Sequence, residues 1–152
     1  MYNGDGRPTE LAESAGVGEY RATPADDDRC PCRSGEVFGQ CCGPRLDGTS
    51  PAPTAETLMR SRYTAFAVGD ASYLLESWHP RTRPRRLELD PGQRWMLLEI
   101  LRTESGGPFD EAGVVEFRAH YRDEGGRGSL HECSRFARVD GAWRYVDGDV
   151  EL

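Results

Sequence analysis

A chain of 152 residues with 26 acidic and 19 basic side chains carries a net charge of −7, which excludes a nucleic-acid role driven by bulk electrostatics. No stretch stays apolar for the about 18 residues a membrane helix needs. No basic segment followed by an apolar one marks a secretory leader, so the expected compartment is the cytoplasm. The length allows one domain with its own core and a small satellite. Every basic residue is arginine, whose planar fork holds carboxylate or phosphate bidentately.

Residues 1–29 are rich in Gly, Ala, Pro, Asp and Glu and end in Asp26-Asp27-Asp28. They lack apolar periodicity and read as a mobile arm, with a weak helix over Glu10–Ala15. Four cysteines then fall within thirteen residues, as Cys30-Pro31-Cys32 and Cys41-Cys42-Gly43, with Gly35 and Gly39 letting the loop curl. Thiolates this dense close around one tetrahedral metal ion. In a reducing compartment ligation is favoured over disulfides, and adjacent Cys41 and Cys42 seldom bond to each other. Zn2+ suits four soft thiolates, with iron as the alternative. A closed four-thiolate shell points to a structural rather than a catalytic site. The Cys-x-Cys spacing points backbone amides at sulfur, and Arg29, Arg33 and Arg45 lie close enough in sequence to balance the excess negative charge. A module this short has almost no core, so metal binding supplies its folding energy, about 10 kcal/mol.

Gly43-Pro44 ends the module, and 47–53 is a linker with Gly48, Pro51 and Pro53. Thr54 caps a helix with Glu56 and Thr57 in its first turn. Leu58, Met59, Tyr63, Phe66 and Ala67 follow at helical spacing. Arg60 and Arg62 flank that stripe and read as a salt-bridged or solvated face, with an anion site as the alternative. Gly69 breaks the helix and Asp70 caps a second one, which carries Tyr73, Leu74, Leu75 and Trp78 and stops at His79-Pro80. Arg81, Arg83, Arg85 and Arg86 form a basic patch that balances Glu88 and Asp90 or holds phosphate or an acidic partner.

Trp95–Leu101 is strongly apolar and reads as a central strand. Gly106-Gly107-Pro108 turns the chain. Val115, Phe117, Ala119 and Tyr121 alternate with Glu116, Arg118 and His120 as a half-buried strand. After Gly125-Gly126, Leu130, Glu132, Ser134 and Phe136 alternate with His131, Cys133, Arg135 and Ala137. Asp140-Gly141 signals a hairpin, and Trp143, Tyr145 and Val146 finish the last strand. Helices followed by meandering strands give an α+β fold, with helices packed on one face of a curved antiparallel sheet and a conical cavity between them.

Tyr63, Trp78, Trp95, His120 and Glu132 are the candidate pocket residues. His79 and His131 are the candidate catalytic acid–base groups, paired with Glu132 or Glu116. The plainer alternatives are core packing for the tryptophans, solvent for His120 and His131, and helix termination for His79. Cys133 reads as a buried small residue, since a nucleophile would need a base and a lowered pKa and the sequence shows neither. No phosphate loop, dinucleotide fingerprint or nucleophile elbow is present.

The stretch CPCRSGEVFGQCCG resembles the SEC-C motif, the metal-binding tail of the SecA translocation motor. TAETLMRSRYTAFAVGDASYLLESWHPRTRP and SLHECSRFARVDGAWRYVDGD are similar to the YchJ family. The resemblance covers residues 30 to 150. It implies a SEC-C-like module over 30–46, a nuclear-transport-factor-2-like domain over 54–150, and zinc ligation by Cys30, Cys32, Cys41 and Cys42. Arg33, Glu36 and Phe38 depart from the usual Gly, Lys and Tyr; they leave the ligands intact and change the charge around them. The N-terminal arm and Cys133 match nothing in the family. The resemblance implies a zinc-binding accessory protein, with the module docking on a chaperone or the ribosome and the cone holding a peptide, a protein or a small ligand. Dimerisation through the open sheet face is a further expectation. The rival expectations are a cavity enzyme of secondary metabolism (isomerase, dehydratase, cyclase or oxygenase) and a metal carrier.

Overall fold

Thr54 sits in extended conformation, and its hydroxyl accepts the Thr57 N–H at 3.0 Å, satisfying one of the donors a helix start leaves open. Helix α2 runs Ala55–Val68 and ends at Gly69, whose φ of 78° and close approach to the Tyr20 ring both require glycine. Asp70 accepts the Tyr73 N–H at 3.0 Å and opens α3, Ala71–Glu76. The earlier short helix α1, Cys42–Leu46, follows a single 3-10 turn at Phe38–Gln40. The computed structural model describes residues 20–151.

Four strands, β1 (Arg94–Ser105), β2 (Ala112–Asp123), β3 (Gly126–Val139) and β4 (Ala142–Glu151), form one antiparallel sheet in chain order. The β3–β4 turn takes positive φ at Asp140 (51°) and Gly141 (83°), the conformation a two-residue hairpin needs. Trp95–Leu101, expected as a central strand, lies in β1 at the sheet edge. A meander joined by tight hairpins keeps its first strand outermost, and Met96 and Leu101 are each 41% exposed. A bulge between Trp95 and Leu97 adds one residue, so Trp95 and Leu98 both face inward although they are three apart.

Helix α2 crosses the inner face of the sheet. Leu58, Met59 and Tyr63 meet Leu98, Val115, Phe117, Phe136 and Trp143 in the main core. A second cluster gathers Ala65, Ala71, Tyr73, Leu74 and Leu89. Cys30, Cys32, Phe38 and Cys42 belong to the main core, so the cysteine module is built into the domain and does not stand beside it as a satellite. The Glu10–Ala15 helix and most of the arm fall outside the described residues. Within 20–29, Arg21 bonds the Ala67 carbonyl at 3.3 Å through its amide and the Trp95 carbonyl at 3.4 Å through its side chain. The Asp26 and Asp28 carbonyls accept the Gly39 and Phe38 amides at 2.8 and 2.7 Å. Among the described residues no helix is long and apolar enough to cross a membrane.

Candidate metal centre and the adjoining cavity

Cys30 and Cys32 lie on a tight turn closed by Arg33 N–H to the Cys30 carbonyl, 3.0 Å, and by Cys30 N–H to the Glu36 carbonyl, 3.0 Å. Arg33 takes φ of 63° there, a left-handed backbone that explains why the motif favours glycine at this position. The 3-10 turn and α1 bring Cys41 and Cys42 up from the other side.

The four Sγ atoms lie within 4.8 Å of one another. Cys32 and Cys41 are 3.6 Å apart and Cys41 and Cys42 4.0 Å, far beyond the about 2.05 Å of a disulfide. A tetrahedral zinc with Zn–S of about 2.3 Å requires sulfur–sulfur edges of about 3.8 Å, so the donor set fits. Cys30, Cys32 and Cys42 are at most 1% exposed, and Cys41 is half-buried. Hydrogen bonds from Cys32 and Cys42 hold the Cys30 thiol far below the usual range, while sharing with Cys30, Cys32 and Cys41 pushes Cys42 up. A bound dication favours four thiolates.

The groups that support the sulfurs come largely from α2. Thr64, fully buried, donates its hydroxyl to Cys42 Sγ at 3.3 Å and stands 4.0 Å from Cys30 Sγ. Ser34 Oγ is 3.2 Å from Cys41 Sγ. Backbone amides of Cys32 and Cys42 also act on the Cys30 sulfur, as the Cys-x-Cys spacing suggests. Arg60, ion-paired to Glu56 at 3.0 Å as its helical spacing predicts, also donates to the Cys32 carbonyl at 2.9 Å. Of the three arginines expected to balance the site, Arg45 instead binds Ser50 Oγ at 3.0 Å. Sequence reasoning missed Thr64 and Arg60 because both contacts cross from α2 to the module.

Thr64→Val keeps the volume and removes the hydroxyl. Loss of an outer-shell donor of this kind weakens metal binding by about 10- to 100-fold, to be read by competition with a chromogenic chelator. Unchanged affinity would leave Thr64 with a packing role only.

Beside this site, between α2 and the sheet, lies a cavity of about 250 Å³. Tyr63, Trp78, Trp95 and Glu132 line it. His79, His120 and His131 do not. Helix α3 ends at Glu76, short of the expected stop at His79-Pro80, so Trp78 and His79 lie beyond it; the His79 amide donates to the Tyr145 carbonyl at 2.7 Å and its Nδ1 accepts the Arg81 N–H at 3.1 Å. His120 and His131 point to the outer face of the sheet, 2.6 Å from Glu99 and Glu116 respectively. Strand alternation decides this, because Val115, Phe117 and Ala119 occupy the inner face of β2 and Ser134 and Phe136 that of β3. The His120 contact holds the Glu99 carboxyl below its usual range, and His131 with Arg102 does the same for Glu116. Cys133, expected to be buried, is half-buried on that outer face, 3.6 Å from Arg102 Nη2.

Tyr145 and Arg62 are among the cavity residues that went unrecognised. Arg62 was read with the polar face of α2, yet it is 3% exposed. It stands four residues after Leu58 and four before Phe66, in the middle of the apolar stripe; that spacing was the available signal. Burial lowers its pKa to about 10, so it stays charged at neutral pH. Burial raises Tyr63 to about 12, and burial with the nearby Glu132 carboxylate raises Tyr145.

Residues 54–148 match the family described as YchJ, middle NTF2-like domain. The chain belongs to the YchJ family. A SEC-C motif match over 28–44 covers the four-cysteine cluster of this YchJ-family protein. It is 62% identical over 120 residues to a UPF0225 protein of Streptomyces coelicolor, spanning 79% of this chain and 94% of that one. It is 51% identical over 123 residues to a UPF0225 protein of Corynebacterium glutamicum, spanning 81% and 98%. Among solved structures, a SEC-C motif containing protein from Rhodopseudomonas palustris superposes with a TM-score of 0.70 at 33% identity, over 81% of this chain and 98% of that one. A sec-c motif containing protein from Psychrobacter arcticus gives 0.66 at 25% identity, over 84% and 85%.

Proposed function

We propose that this YchJ-family protein is a zinc-stabilised accessory protein whose cone is the ligand-binding part. The observation that carries the reading is the position of the metal site. Three of its four cysteines are buried in the same core that holds α2 against the sheet, so the ion ties the N-terminal segment to the roof of the cavity. A carrier needs its metal within reach of a recipient; here only Cys41 is partly open. The docking role joins this reading through the exposed loop 33–37 on the outside of the module, the surface it offers a protein partner such as a chaperone or the ribosome. Free thiols fit a reducing compartment, the cytoplasm in this proposal. A cavity enzyme would depend on Glu132 and the tyrosines, since no histidine lines the space.

Elemental analysis of protein purified without added metal is the test. The expected result is one zinc per chain, retained for hours under excess chelator. Iron, or labile and substoichiometric metal, would make metal delivery the leading function instead.

A further inference from the structure

The cavity holds a guanidinium that the protein itself leaves half-used. Arg62 Nη1 donates to the Leu74 carbonyl at 2.8 Å and to Ser77 Oγ at 2.7 Å, which anchors the side chain to the end of α3. Its Cζ lies 4.9 Å from the Trp78 ring centre and 4.5 Å from that of Tyr145. Among the described residues, Nε and Nη2 have no hydrogen-bond partner, and no carboxylate forms an ion pair with Arg62. A buried charge without a direct ion pair is costly, and the Glu132 carboxylate acts on this one only through space. Two backbone and hydroxyl tethers and two aromatic faces hold this one in place while its remaining donors stay open to the cavity it lines.

We propose that the cavity binds a small carboxylic acid, with its carboxylate on the Nε–Nη2 edge of Arg62 and its apolar body among Met59, Phe66, Phe117 and Leu130. The claim rests on the reading of the cone as a ligand-binding part and names its ligand class. One free guanidinium edge matches a planar carboxylate bidentately. Glu132 lines the same space and repels a dianion such as phosphate more than a monoanion. Glu132 Oε2 is taken by Ser134 Oγ at 2.7 Å and Tyr145 Oη at 3.0 Å, which leaves Oε1 to accept from a hydroxyl or amino group on the ligand body. A volume of about 250 Å³ limits that body to one ring or a short branched chain.

The metal-loaded full chain is titrated with 4-hydroxyphenylacetate and with its primary amide, following the fluorescence of Trp78 and Trp95 in the cavity wall. The acid is expected to bind about tenfold or more tightly than the amide, the range of one charge-assisted contact. Arg62→Met should erase that preference and Arg62→Lys should keep part of it. Loss of the α3 tether in Arg62→Met can unfold the chain, so the wild-type acid-to-amide ratio is the deciding readout. Equal binding of acid and amide overturns the carboxylate assignment and leaves the ligand-binding cone standing. Binding of neither, with metal content intact, overturns both.

Discussion

Stripping the metal will unfold the domain as well as the module. Metal binding at a comparable four-ligand site is worth roughly 10 kcal/mol, against a total domain stability of about 5–15 kcal/mol. In an independent module that loss would stay local. Here Cys30, Cys32 and Cys42 share a core with Leu58, Met59 and Tyr63. Thr64 and Arg60 on α2 bond the Cys42 sulfur and the Cys32 carbonyl. Chelator treatment, or Cys42→Ser, should therefore abolish the main cooperative transition in thermal unfolding followed by near-UV circular dichroism. Cys133→Ser, on the outer face, should shift stability by no more than about 0.5 kcal/mol. A metal-free protein that keeps the wild-type melting temperature would mean that the module is a dispensable attachment, and the proposed role of the ion would fall with it.

Trp143→Ala will cost about 3–5 kcal/mol, the range for deleting a fully buried large aromatic. Trp143 is 1% exposed. Its indole N–H donates to the Pro53 carbonyl at 3.2 Å, and the Arg138 guanidinium lies 4.6 Å from its ring centre. Pro53 directly precedes the Thr54 cap, so this one side chain fixes β4 to the start of α2 and, through α2, to both the metal site and the cavity. The denaturant midpoint should fall with the slope unchanged. Trp143→Phe should lose less, since it keeps an aromatic body and gives up the hydrogen bond, worth about 1 kcal/mol. A loss below about 1 kcal/mol for Trp143→Ala would show that the α2–β4 contact is not what holds the cone closed.

Much of this molecule is legible along the chain because the deciding forces are short-range. The caps at Thr54 and Asp70, the break at Gly69 and the Asp140-Gly141 hairpin are local backbone chemistry. The alternation in β2 and β3 is equally local, and followed strictly it sets His120 and His131 opposite the inward Phe117 and Phe136, against their reading as pocket and catalytic residues. It also placed Glu132 on the apolar face, a carboxylate among core positions. The spacing of Cys30, Cys32, Cys41 and Cys42 was enough to find a four-thiol cluster that could hold a metal ion, because four cysteines in one short loop have few other uses.

The rest depended on how the chain closes on itself. The edge position of β1 follows from the order in which the hairpins stack, and a bulge, not a propensity, turns Trp95 and Leu98 to the same side. Thr64 and Arg60 became supports of the metal site only when α2 packed against the cysteine turn. Arg62 became a buried charge only when Trp78 and Tyr145 closed over it from elements 16 and 83 residues further along the chain. The sequence by itself determined the main element types, the caps at Thr54 and Asp70 and the candidate metal ligands, since those rest on neighbouring residues. The tertiary structure alone decided which polar side chains share the interior, since a buried charge finds its surroundings through long-range packing that no local pattern encodes.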